Sequence, residues 1–122
     1  MGIIWKGADG VLYEFSEHPH SSDWSDVGGV FIFAARLTDG NWNPLYIAST
    51  ENLSRRIPVD EKWPWAVHLG ATGVLACAVP EGIKRVKLVA EMIARLKPPL
   101  NDYPQEQLSA VTLLRRAQNR GA

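Results

Sequence analysis

Apolar and polar positions fall into short alternating or uniformly apolar runs early in the chain and into helical spacings later. Residues 3–15 predict a hairpin: Ile3, Ile4 and Trp5 precede the turn signal Ala8-Asp9-Gly10, and Val11, Leu12, Tyr13 and Phe15 follow it. Residues 16–28 are polar and read as a loop. Residues 29–36 are apolar on both faces, which predicts a central strand. Residues 38–44 form a turn cluster and 45–48 resume as a strand, so the two runs predict an antiparallel pair. Thr50 is the expected cap of a short helix over 51–57, which Pro58 stops. A second short helix is expected over 63–69, with Pro64 in its first turn and Gly70 past its end.

Residues 72–79 read as a further strand. The longest predicted helix covers 83–97, with Val86, Val89 and Ile93 as its sheet-facing stripe and Pro98-Pro99 as its stop. Residues 105–118 predict a last amphipathic helix, and 119–122 a fraying tail. The order is that of an α+β domain: a small antiparallel sheet flanked by helices, with an added N-terminal hairpin. Residues 1–27, hairpin and loop, pack on the domain formed by 28–122, giving a single domain overall.

Composition narrows the function. The chain has 122 residues, 46% hydrophobic and 21% charged, which fits one globular domain. Thirteen basic side chains meet thirteen acidic ones, and a net charge of zero argues against a general nucleic-acid coat protein. The lone Cys77 excludes an internal disulfide, reads as inert core, and fits a reducing cytoplasm. No apolar run approaches the ~18 residues of a membrane span, and no secretory leader is expected. His18, His20 and His68 lack metal-ligand spacing and read as loop or surface residues, so no metal site or cofactor is expected. Trp24 and Trp42 fall in predicted loops, where large rings point to packing or to a protein partner.

One set of ordered motifs stands out. Gly29-Val30-Phe31 lies on one predicted strand and Tyr46-Ile47-Ala48 on the next. Arg56 follows Ala48 by eight residues. Further on come Lys62-Trp63-Pro64, Gly70-Ala71-Thr72, and the run from Met92 to Asn101 with its Pro98-Pro99. Over roughly residues 28–103 this resembles the GIY-YIG nuclease family, and especially its small stand-alone phage and bacterial branch. The resemblance implies a domain that cuts a DNA strand with a Tyr that activates the nucleophile, an Arg on the phosphate and a Glu that holds a divalent metal. Such chemistry rests on fixed charge and one metal ion.

The sequence departs from that pattern at chemically costly positions. The first-motif Tyr is Phe31, which has no hydroxyl. The Gly closing the second motif is Ala48. The metal-binding Glu position, twelve residues before Asn101, is Val89, which cannot hold a hard cation. A His of the branch that shares Lys-Trp-Pro is Asp60 here. Glu91 does not replace the missing carboxylate: two helical positions turn it about 200° away, where it is expected to pair with Lys87 and Arg95.

The expected function is therefore an impaired nuclease-like domain that binds nucleic acid or a protein. Tyr46 and Arg56 form its remnant site with Phe31, Val89 and Asn101. Arg55, Arg56, Lys84, Arg85 and Lys87 form its expected weak DNA-binding patch. The alternatives are an active Mg²⁺- or Mn²⁺-dependent endonuclease with a rearranged site, and a protein-interaction module of the inhibitor or immunity type.

Overall fold

The first hairpin closes on a turn whose bonds are all local. Gly7 N donates to Val11 O and Gly10 N to Gly7 O, both at 2.9 Å. Asp9 Oδ1 accepts from Val11 N at 3.0 Å, and Gly10 takes a φ of 81°, which favours glycine. This is a computed structural model, and it describes residues 2–101. The predicted helix over 105–118 and the tail lie outside the described residues.

The hairpin consists of β1 (Gly2–Lys6) and β2 (Leu12–His18). It is followed by β3 (Gly29–Arg36) and β4 (Trp42–Thr50). The one-turn helix α1 (Leu53–Arg56) runs into a 3-10 turn, Ile57–Val59. Then come α2 (Lys62–His68), β5 (Gly73–Ala78), α3 (Gly82–Leu96) and a 3-10 turn, Pro99–Asn101. The strands form one five-stranded antiparallel sheet in the order β1-β2-β5-β3-β4. The α+β architecture, a small sheet flanked by helices with an N-terminal hairpin, is as expected.

Tertiary pairing lengthens two strands beyond their predicted ends. Ser16, Glu17 and His18, expected in a loop, pair with Ala76, Leu75 and Val74 and so extend β2. β4 begins at Trp42, so Trp42 is a strand residue rather than a loop residue. Its register shifts between the pairs Phe33↔Tyr46 and Ala34↔Pro44, which makes Leu45 the extra residue of a bulge. Pro44 is tolerated because β4 is an edge strand.

The helix ends follow local chemistry. Asn52, not Thr50, caps α1: its Oδ1 accepts from Ser54 N at 3.0 Å and from Arg55 N at 3.3 Å. Thr50 Oγ1 instead accepts from Asn52 N at 3.1 Å and fixes the cap itself. α3 ends where Lys97 turns left-handed (φ 47°) ahead of Pro98.

Side chains of β3 alternate between two cores. Phe31, Phe33 and Ala35 face α1 and α2, with Tyr46, Leu53, Ile57 and Ala66. Val30, Ile32 and Ala34 face α3, with Phe15, Ile47, Leu75, Leu88 and Met92. Phe31 and Phe33 are fully buried, each burial being worth about 1.5–3 kcal/mol. The stripe of α3 differs from the expected one. Leu88 and Met92 are the buried residues, Val89 and Ile93 flank them, and Val86 is 64% exposed.

The hairpin is tied to α3 by Glu91. Trp5 Nε1 donates to Glu91 Oε1 and Ala8 N to Glu91 Oε2, each at 3.0 Å, and the Arg95 guanidinium lies 5.2 Å from the Trp5 ring. The expected surface pairs of Glu91 with Lys87 and Arg95 are replaced by this joint. A backbone N–H and an indole brought in by the hairpin are fixed donors, whereas lysine must give up side-chain freedom to pair. Among the described residues no helix is long and apolar enough to cross a membrane.

Candidate functional site

The site begins as an aromatic floor. Phe31 and Phe33 are two residues apart on β3, and Tyr46 pairs with Phe33 across the β4 ladder, so all three rings rise on the same face. Their centroids lie 5.2 Å (Phe31–Phe33), 5.7 Å (Phe33–Tyr46) and 6.3 Å (Phe31–Tyr46) apart. Trp63 meets Phe33 edge-on at 5.0 Å, and His20 stacks flat on Trp63 at 4.2 Å. His20 Nε2 donates to Ile57 O at 3.0 Å, so this histidine, expected at the surface, is part of the wall.

Arg56, the last residue of α1, extends over this floor. Its Cζ lies 5.9 Å from the Phe31 ring centroid, and its Nη2 donates a long bond of 3.4 Å to the Tyr46 hydroxyl. Its Nε donates to Asp60 Oδ2 at 2.7 Å. Asp60 Oδ1 accepts from Lys62 N at 2.8 Å. The Asp60 side chain is 2% exposed and that of Arg56 42%, so the carboxylate holds the guanidinium from beneath while its rim meets solvent. Lys62 is buried, with Nζ 5.7 Å from the Tyr46 ring centroid and 3.9 Å from Glu61 Oε1.

The charges tune one another. Burial pulls the Lys62 ammonium below the usual lysine range, against the opposing pull of Glu61 and Asp60. Burial, then the Asp60 charge, push the Tyr46 phenol up. Burial works against the Arg56 charge, but its hydrogen bond to Asp60 and that residue's charge outweigh it, so the Arg56 pKa rises. Tyr46 is thus a neutral hydroxyl near pH 7: it accepts from Arg56 and keeps its own hydrogen to donate. Among the described residues no three His, Cys, Asp or Glu side chains are grouped to hold a metal ion.

Phe31, Tyr46 and Arg56 are therefore brought together, and Val89 is not. Val89 packs in the α3-side core, across the sheet from Tyr46, because α3 covers the face presented by Ile32 and Ile47. Asn101 is engaged with backbone instead. It clasps the backbone of Ile47 at the sheet edge, accepting from its N–H and donating to its C=O, both at 2.8 Å.

Nor do the α3 cations join Arg56. Arg85 Nη1 donates to Val79 O and Pro80 O at 3.1 and 2.7 Å, and Lys84 lies 3.8 Å from Glu81. Lys84 and Lys87 border a separate cavity of about 280 Å³ beside the hairpin turn, on the α3 side. Arg55 is exposed on α1 next to Arg56. The two tryptophans read as loop residues are half-buried: Trp24 Nε1 donates to His20 O at 3.1 Å, and Arg36 lies 5.4 Å from the Trp42 ring. Cys77 is half-buried too, and burial raises its thiol pKa.

Phe33 and His20 are site residues that motif spacing does not pick out, whereas Lys62 and Trp63 fall in the Lys-Trp-Pro motif and Asp60 just before it, with nothing in the motif to mark them as part of the site. Asp60 carries a usable signal, since it stands four residues after Arg56 at ion-pair spacing. His20 carries none, because a long-range packing contact places it. Comparison of the chain with models of known families, with curated proteins and with solved structures finds no match.

Proposed function

We propose that the face built from Phe31, Tyr46, Arg56, Asp60 and Lys62 is a phosphate contact. The domain would be a GIY-YIG-like one that has lost strand cleavage and binds nucleic acid weakly. The observation that carries this reading is the posture of Arg56. Its guanidinium is tied at Nε to Asp60 and at Nη2 to Tyr46, lies across Phe31, and keeps a solvent-facing rim. A fixed guanidinium with outward N–H groups is preorganised for phosphate oxygens. Arg56 and Lys62 face two carboxylates, Asp60 and Glu61, so the local charges balance, and Arg56, 42% exposed, is the cation turned toward solvent.

Chemistry is a different matter. Phe31 offers no hydroxyl, Tyr46 stays protonated near neutrality, and both oxygens of Asp60 are already bonded. With a net charge of zero the chain exerts no long-range attraction, so binding is short-range and salt-sensitive.

A fluorescence-anisotropy titration of branched and linear DNA, at low and moderate salt, tests the reading beside a plasmid-nicking assay with Mg²⁺ or Mn²⁺. The expected result is weak binding at low salt, weakened roughly 5- to 10-fold or more by Arg56→Ala (one lost charged contact, ~1–1.5 kcal/mol), and no nicking above background. No binding at low salt removes the nucleic-acid reading and leaves a protein-interaction module. Efficient cleavage that vanishes in Arg56→Ala would instead establish an active endonuclease.

A further inference from the structure

We propose that β1 is the seam of a symmetric homodimer, formed by antiparallel pairing of this strand with the same strand of a second copy. The sheet has two edges, β1 and β4, and they are finished differently. At the β4 edge Asn101 occupies both backbone groups of Ile47, and Pro44 interrupts the ladder. Among the described residues nothing comparable lies at the β1 edge. The bond from Gly7 N to Val11 O sets the alternation of the hairpin, so Ile3 and Trp5 face β2 while Gly2, Ile4 and Lys6 turn their N–H and C=O groups outward. No described residue bonds to those outward groups.

Within β1 itself the devices that usually blunt an edge are missing too. β1 has no proline and no bulge in its register with β2, and its single charge, Lys6, sits at one end. At its centre Ile4 is 66% exposed, and beside it on β2 Leu12 is 65% exposed.

A second copy fits this edge better than a generic strand does. A two-fold axis through Ile4 sets Ile4 opposite Ile4 of the second copy, and Gly2 opposite Lys6 at either end. Every outward group then pairs, for about six backbone hydrogen bonds. Lys6 meets a glycine rather than another lysine, so no like charges face each other. The two isoleucine side chains meet on one face. Asn101 at Ile47 and the break at Pro44 leave β4 no continuous ladder to offer, so the pairing is confined to β1 and gives a dimer rather than a fibre. A seam of five residues falls well below the ~1,200 Å² of a standard stable interface, so association is weak and concentration-dependent.

Sedimentation equilibrium of the full chain from about 10 μM to about 1 mM tests this. The expected mass rises from 13.5 kDa toward twice that value with concentration. Ile4→Lys, which sets two ammonium groups at the axis, should stay at monomer mass throughout with an unchanged circular dichroism spectrum. Ile4→Cys in a Cys77→Ser background should form an intermolecular disulfide on oxidation, since the ~5.5 Å Cα separation of a hydrogen-bonded pair lies in the allowed range. A wild-type chain that remains monomeric at the highest concentration overturns the proposal and leaves the edge open to an extended peptide. A dimer that survives Ile4→Lys overturns it as well. β1 is separated from β3 by two strands, so Arg56→Ala should leave the mass unaffected, and the DNA reading stands or falls separately.

Discussion

Arg56 and Asp60 sit one helical turn apart, with the carboxylate sealed and the guanidinium at the rim. The pair couples the end of α1 to the start of α2, because Asp60 also takes the backbone N–H of Lys62. A surface pair of this spacing is worth only a few tenths of a kcal/mol. Here the buried partner raises the stakes of removing the carboxylate, and the exposed partner limits them.

We expect Asp60→Ala to lower unfolding stability by about 2 kcal/mol, and Asp60→Asn by about half as much, since an amide oxygen still accepts from Lys62 N. Urea denaturation measures both. Equal losses in the two variants would show that the charge of Asp60, and not the cap it provides, carries the effect.

Glu91→Ala removes the acceptor of both the Trp5 indole and Ala8 N. We expect a loss of about 2 kcal/mol. We also expect a red shift of tryptophan emission as the hairpin loosens from α3. An unshifted spectrum with unchanged stability would mean that the apolar contacts of Ile3 and Trp5 alone hold the hairpin.

The Tyr13 hydroxyl donates to Asp9 Oδ2 at 2.8 Å. Burial, followed by this bond, pushes the Tyr13 pKa up to about 12. The unfolded value is about 10, so folding favours the protonated phenol. The sign follows: this contribution is fully present below pH ~10 and is lost as pH rises through the folded value near 12. Absorbance at the tyrosinate band during alkaline titration should show a late step that disappears in Tyr13→Phe. A normal titration midpoint for that step would refute the assignment.

Rebuilding the GIY-YIG pattern by Phe31→Tyr with Val89→Glu should fail. The new carboxylate would sit in the α3-side core, across the sheet from Tyr46, and cost about 1–3 kcal/mol. Plasmid nicking with Mn²⁺ should stay at background. Cleavage by the double variant would require α3 to present Val89 to the opposite face.

The sequence made some of this legible and hid the rest for identifiable reasons. The uniformly apolar run of β3 announced a central strand because both its faces are covered. Tyr46 and Arg56 were visible because a strand, a loop and one helical turn fix their spacing. The α3 stripe was ambiguous. Apolar residues recur around most of that helix, so Val86–Val89–Ile93 and Leu88–Met92 satisfy the same periodicity, and only the packed sheet chooses between them. The role of Glu91 was hidden because its partners lie 83 and 86 residues away in sequence. The wall made by His20 and Trp63 belongs to the same class, since a stacked pair leaves no local pattern.

The Asn101 clasp has a consequence during synthesis. Ile47, whose edge groups it occupies, precedes it by 54 residues. At translation speeds of about 5–20 residues per second, that side of the nascent sheet stays unsealed for roughly 3–11 s before its own chain can close it. For that interval an apolar strand, already able to pair, presents a bare ladder to neighbouring nascent chains. Pro44 and the bulge at Leu45 are present from the start and interrupt that ladder, so they guard the edge until Asn101 emerges.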